Sequence, residues 1–129
     1  MGFRQLWRDL HRGQIPGPEH LIVLVQPHLA PGEEVRHLFS GIRQMSSLIR
    51  WVVAVTDRRI IVVEAKPGPF IWQPLRPTDE FQLPRETRLG PRSGRMWYVV
   101  AGYRLAVPLQ EDQRTIAAAD AEMGFPPPV

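Results

Sequence analysis

Residues 51 to 65 read WVVAVTDRRIIVVEA, and no other stretch restricts the fold as much. Two β-branched runs flank Asp57-Arg58, a pair short enough to join antiparallel strands as a hairpin. Asp57 tolerates the turn conformation. Neighbouring positions in both runs are apolar, so both faces of the hairpin are apolar. A strand with two apolar faces cannot present either of them to water. One face must line a barrel interior, and the other must lie under a helix, a long loop or a partner.

The rest of the chain supplies more strands of the same kind. Ala30-Pro31-Gly32 is a turn signal, and from Glu34 the apolar period becomes two through Val35, His37, Phe39 and Gly41. Residues 42 to 49 connect this strand to the hairpin. Residues 66 to 80 hold four prolines and read as a long irregular loop. Phe81–Leu83 and Glu86–Leu89 read as two short strands around Pro84-Arg85. Met96–Ala101 and Arg104–Val107 read as a second hairpin turning at Gly102-Tyr103, which brings the expected count to seven. After Pro108 the period turns helical. Glu111 and Asp112 suit a helix start, Ile116, Ala119 and Met123 share a face, and Gly124 stops it, giving a helix over 111–123. The expected core is Trp51, Val53, Val55, Ile61, Val63, Trp97, Val99 and Ile116.

The N-terminal part is different. Phe3, Leu6, Trp7 and Leu10 form one apolar stripe of a short helix, flanked by Arg4, Arg8, His11 and Arg12 and stopped by Gly13. A second segment from Pro18 or Glu19 to about Pro27 carries Leu21, Ile22, Leu24 and Val25. It fits a helix with Pro at its start or a short buried strand. The chain divides into a helical N-terminal extension over 1–30, one β domain over 31–125 and a proline tail over 126–129. A chain of 129 residues fits one ordinary domain.

Three motifs together resemble the bacterial pleckstrin-homology-like (PH-like) family. They are Pro31-Gly32-Glu33-Glu34-Val35 entering the first strand, the hairpin Trp51–Ala65 with Thr56-Asp57-Arg58-Arg59 at its turn, and Leu83-Pro84-Arg85-Glu86-Thr87 followed by the Gly102 hairpin. The resemblance covers about residues 31 to 124. It implies a seven-stranded antiparallel, partly open barrel of two packed sheets, plugged at one end by the C-terminal helix. It also implies a binding module, since some members look self-assembling or membrane-associated. Eukaryotic relatives bind phosphoinositides through basic residues between the first two strands. Here that connection, Ile42 to Ile49, holds Arg43 with Arg50 just after it, and lacks the close cluster that chelates several phosphates.

Composition and motifs narrow the function further. The absence of cysteine removes disulfides, thiolate metal sites and cysteine nucleophiles, and fits a reducing cytosol. No stretch approaches the roughly 20 apolar residues of a membrane-spanning helix. Leu21–Val25 is too short for a signal-peptide core, and Leu6 stands where a myristoylation signal needs Ser or Thr. The net charge of +3 is small, and Lys66 is the sole lysine, a bias that fits genome composition. Catalytic elbows, zinc-protease helices and phosphate loops are absent from the sequence. His11, His20, His28 and His37 lie too far apart to share a helical turn. Glu33-Glu34 and Asp79-Glu80 are adjacent acids that read as solvated turns. Residues 85–104 hold five arginines against Glu86 and read as a solvated edge paired with Glu111, Asp112, Asp120 and Glu122.

These features describe a module that binds rather than catalyses, needs no cofactor or metal, and is expected in the cytoplasm. The expected partner is protein, including a second copy of the chain. The alternative is an anionic membrane surface, met peripherally at the inner face. Nucleic acid and a small-molecule substrate are not expected. The candidate surface joins Phe3, Arg4, Leu6, Trp7, Arg8, Leu10 and Arg12 of the first helix with Phe70, Ile71 and Trp72 of the 66–80 loop. This apolar material is surplus to a complete barrel and must pack on the barrel, a second copy or a bilayer.

Overall fold

The computed structural model describes residues 18–44, 49–66, 75–90 and 94–125. The ten residues of the expected interaction surface lie outside the described residues. In chain order the elements are α1 (Pro18–Val25), a 3-10 turn (Gln26–His28), β1 (Val35–Arg43), β2 (Arg50–Thr56), β3 (Arg59–Lys66), β4 (Arg76–Pro84), β5 (Trp97–Val100), β6 (Tyr103–Ala106) and α2 (Gln110–Glu122). The six strands form one antiparallel sheet in the order β4-β3-β2-β1-β6-β5, curled into a half-barrel.

The central hairpin is buried on both faces, and each face has its own cover. Trp51, Val53, Val55, Ile60 and Val62 point inward with Phe39, Tyr98, Val100, Leu105 and Val107, and α2 closes this core with Ile116 and Ala119. Val52, Ala54, Ile61 and Val63 point outward under Leu21 and Val25 of α1. Leu21 and Val25 are four residues apart, one helical turn, so one stripe of α1 meets the sheet. The 18–27 segment is therefore a helix, and it covers the outer face of the hairpin. Gly41 of β1 permits a close approach to the end of β6. A Cβ there would stand 3.2 Å from both the Ala106 carbonyl oxygen and Val107 Cγ2. Without that side chain, the segment leaving β6 can cross β1 on its way to α2.

Four expectations need correction. The 66–80 stretch is not loop throughout, because β4 begins at Arg76 inside it. β4 is the sheet edge, where Pro77 and Pro84 remove no ladder bond to a further strand. Glu86–Leu89 is not a strand, so six strands rather than seven are formed by the described residues. There the chain is held by side-chain bonds instead: the Leu89 and Gly90 N–H groups donate to the two carboxylate oxygens of buried Asp120, each at 2.8 Å. The second hairpin turns at Ala101-Gly102, one residue earlier than expected. Both residues have positive φ, 50° and 83°, as a tight two-residue hairpin requires. The expected faces of β5 are reversed as well, because its even-numbered residues share a face with inward Leu105. Tyr98 and Val100 enter the core, Trp97 is half-buried, and Val99 is 40% exposed.

The fourth correction concerns Glu33, expected in a solvated turn and found buried. Its carboxylate accepts two bonds from Arg59, from Nε to Oε2 at 2.9 Å and from Nη2 to Oε1 at 2.8 Å. The Thr56 hydroxyl donates to Oε2 at 2.7 Å, and the Ala30 N–H to Oε1 at 2.9 Å. Arg59 also donates to the His28 carbonyl at 2.7 Å. Asp57 and Glu34 exchange bonds beside this pair, each at 3.0 Å. The Pro31–Glu34 turn and the Thr56–Arg59 turn, far apart in sequence, thus form one clasp. It fixes the end of the α1 segment against the hairpin.

Candidate interaction surface

Four large hydrophobic side chains stand exposed among the described residues, and three of them belong to the β5–β6 hairpin: Met96 at its base, Val99 and Tyr103. The fourth, Val23, is on α1. The hairpin is short, and alternation sends Tyr98, Val100 and Leu105 inward. Trp97, Val99 and Arg104 share its outer face, with Val99 opposite Arg104 in the register. The Arg104 guanidinium lies over the Trp97 ring at 4.6 Å from its centre. A cation seated on an aromatic face holds both side chains in place.

Tyr103 is 48% exposed, yet it has firm support. Its ring stands 5.2 Å from that of fully buried Trp51, and Phe81 of β4 meets the same indole edge-on at 5.2 Å. Arg43 reaches within 5.8 Å of the Tyr103 ring centre. Arg43 Nη1 donates to Glu64 Oε1 at 2.9 Å, and the Trp51 indole N–H donates to the same oxygen at 3.1 Å. The core therefore supports the exposed ring from below, while a closed polar network fixes Trp51. A surface built in this way loses little side-chain freedom when it is covered.

Charge is distributed unevenly around the sheet. Residues 94–106 contain Arg95 and Arg104 and no acid. β4, at the opposite end of the strand order, carries exposed Asp79 and Glu80. Where β3 ends and β4 begins, Lys66 faces Arg76 across the strands, and both are exposed. At the other end of β1, Glu122 of α2 accepts a hydrogen bond from His37 and pairs with Arg36 and with Arg85. The His37 hydrogen bond, reinforced by the charges of Arg36 and Arg85, holds the Glu122 carboxyl below the usual carboxylate range. The Arg85–Glu122 pair at 3.5 Å is the expected ion pairing of the 85–104 stretch with α2, whereas Asp120 is turned to the Leu89-Gly90 backbone. Arg88 lies over Phe125 at 5.5 Å.

A cavity of about 10 Å³ at the start of α2 is lined by Ser40, Gly41, Ile42, Arg50, Pro108, Leu109 and Asp112. It has room for about one water molecule. Burial lowers the Arg50 pKa, and the nearby Asp112 carboxylate partly offsets that. Among the described residues no group of three His, Asp or Glu could hold a metal ion, and no helix is long and apolar enough to cross a membrane.

Val99 was expected in the core and Arg104 within a solvated edge, and Met96 and Tyr103 were read only as hairpin positions. The available signal was the polar–apolar alternation of Arg104 and Leu105: in either turn register an inward Leu105 puts Val99 outside. Comparison with family models, curated proteins and solved structures gave no match.

Proposed function

We propose that this chain is a non-catalytic interaction module of PH-like architecture that recognises protein, including a second copy of itself, through the β5–β6 hairpin. One observation carries the reading: three of the four exposed large hydrophobic side chains among the described residues, Met96, Val99 and Tyr103, lie on one hairpin, where Val99 shares the outer face with Trp97 and Arg104. Aromatic residues, Met and Arg are the types enriched in protein interfaces and among their energetic hot spots. The PH-like part rests on the curled antiparallel sheet with its C-terminal helix on the inner core, and on the two family-like motifs, Pro31–Val35 and Thr56–Arg59, meeting in one clasp.

A second reading, an anionic membrane surface, is favoured by the exposed Lys66 opposite Arg76. Like charges paired across strands destabilise a sheet unless something anionic meets them. Val99→Asp and Tyr103→Ala, measured by light scattering and by co-sedimentation with anionic and neutral vesicles, separate the two. The protein reading expects both variants to lower the associated mass and vesicle pelleting to stay at background. Unchanged mass, with pelleting on anionic vesicles that salt abolishes, would favour the membrane reading.

A further inference from the structure

The two edge strands of the sheet differ in how they are protected. On β4, Pro77 and Pro84 have no N–H to offer, the Glu80 N–H donates to Asp79 Oδ1 at 2.8 Å, and exposed Asp79 and Glu80 add charge. β5 has none of these devices, since Trp97–Val100 contains neither proline nor charge. Its backbone bonds to β6 alternate. The Val107 N–H donates to the Met96 carbonyl at 2.7 Å, and Val100 flanks the two-residue turn opposite Tyr103. Met96, Tyr98 and Val100 are thus the residues bonded to β6. β6 keeps the matching phase on its other side, where the Gln44 N–H donates to the Arg104 carbonyl at 2.8 Å. Trp97 and Val99 therefore turn their N–H and C=O groups to the open edge, and none of the described residues bonds them there.

We propose that β5 pairs with β5 of a second copy, antiparallel about a two-fold axis at Tyr98, so that the two six-stranded sheets become one. This rests on the interaction-module reading above and names its partner. In that register Trp97 of each copy stands opposite Val99 of the other, and each such pair exchanges two backbone hydrogen bonds. The Trp97 and Val99 side chains share the outer face, so the exposed valine meets an indole, a favourable aromatic–β-branched pair. Exposed Met96 comes opposite Val100, in the row that continues to Tyr103. No charge faces a charge across the axis, and Arg104 keeps its place over Trp97. The strand's own sequence supplies what its edge leaves uncovered, which selects a second copy as the occupant. Such a contact is isologous and closes at two chains.

Light scattering on the full chain tests the assembly, and a cross-link tests the register. Wild type is expected to gain mass with concentration and level off at two chains, with little response to salt. Val99→Pro removes an N–H that β6 does not use, so it should keep the circular dichroism of the folded chain yet stay at one chain. The sequence has no cysteine, so introduced thiols have no native competitor. Under mild oxidation, Trp97→Cys mixed with Val99→Cys should form a two-chain disulfide, because directly opposite residues lie about 5.5 Å apart at Cα. Either variant alone sets its thiols diagonally, about 7 to 8 Å apart, and should form little. A wild type that grows past two chains, a folded Val99→Pro chain that still pairs, or a mixture no better cross-linked than its components overturns the proposal. If Val99→Pro unfolds, the disulfide pattern decides alone. Failure of the register test with mass still lowered by Val99→Asp leaves the hairpin reading standing without the edge pairing. A wild type held at one chain at every concentration removes self-recognition as well.

Discussion

At the residue scale, the clasp at Glu33 is the most demanding site in the chain. A buried carboxylate is tolerated only when its attraction to a cation and its hydrogen bonds offset the lost hydration. Glu33 has both, and its bonds from Arg59, opposed by burial and reinforced by Ala30 and Thr56, lower its pKa from 4.5 to about 2. A group depressed in the folded state stabilises above its unfolded pKa and loses that contribution as pH falls through the folded value. Stability should therefore decline between about pH 4.5 and pH 2, and Glu33→Gln should flatten that acid limb in pH-dependent urea melts. Glu33→Ala leaves part-buried Arg59 and the buried Thr56 hydroxyl without their acceptor and should cost about 1 to 3 kcal/mol at neutral pH. Neither the burial nor the pairing was legible in the local sequence, where Glu33-Glu34 looks like any solvated turn. Arg59, 26 positions away, supplies the reason, and only the folded topology brings it there. Ala101 gives a smaller test of the opposite sign. Its φ of 50° costs an L-residue about 1 to 2 kcal/mol, more than the roughly 0.4 to 1 kcal/mol of added chain entropy that glycine brings. Ala101→Gly should raise the melting temperature slightly.

At the element scale, legibility followed how strongly each segment's pattern excluded alternatives. The Trp51–Ala65 hairpin was legible as two buried strands and their turn, because two-faced apolar strands have few other places to go, but Ile60 and Val62, not the expected Ile61 and Val63, join Trp51 in the inner core. α2 was legible within a residue at each end, from its acidic first turn, its apolar stripe and Gly124. β5 was legible as a strand but not in register. Trp97, Tyr98, Val99 and Val100 are all apolar or aromatic, so alternation within β5 cannot choose the inward pair; the partner strand does, with inward Leu105 opposite Tyr98 and Arg104 opposite Val99. Residues 86–89 failed for a different reason: Asp120, on a distant helix, satisfies the backbone there that a strand ladder would otherwise need. Two substitutions on α2 follow. Ile116→Ala opens a cavity in the inner core and should cost about 2 to 5 kcal/mol. Asp120→Ala leaves two buried N–H groups without acceptors and should destabilise by about 2 kcal/mol or more, whereas a loop-only role would leave the melt unchanged. Equilibrium unfolding in urea reads both.

At the scale of the whole molecule, the described residues already contain two covered faces and a continuous core, with α1 on one side of the sheet and α2 on the other. Deleting residues 1–13 should therefore leave a cooperatively folded domain, checked by circular dichroism and a thermal melt. A chain that unfolds without them would place the Phe3–Leu10 stripe in the core. Val23 of α1 apart, the large hydrophobic side chains that the described residues leave exposed, Met96, Val99 and Tyr103, belong to the β5–β6 hairpin. Its role as the interaction surface is tested most directly by hydrogen–deuterium exchange of the full chain at low and at high protein concentration. Amides of residues 94–106 should gain protection as concentration rises, and lose that gain in Val99→Asp. Protection that rises only within residues 1–13 or 66–74, with the hairpin unchanged, would contradict it.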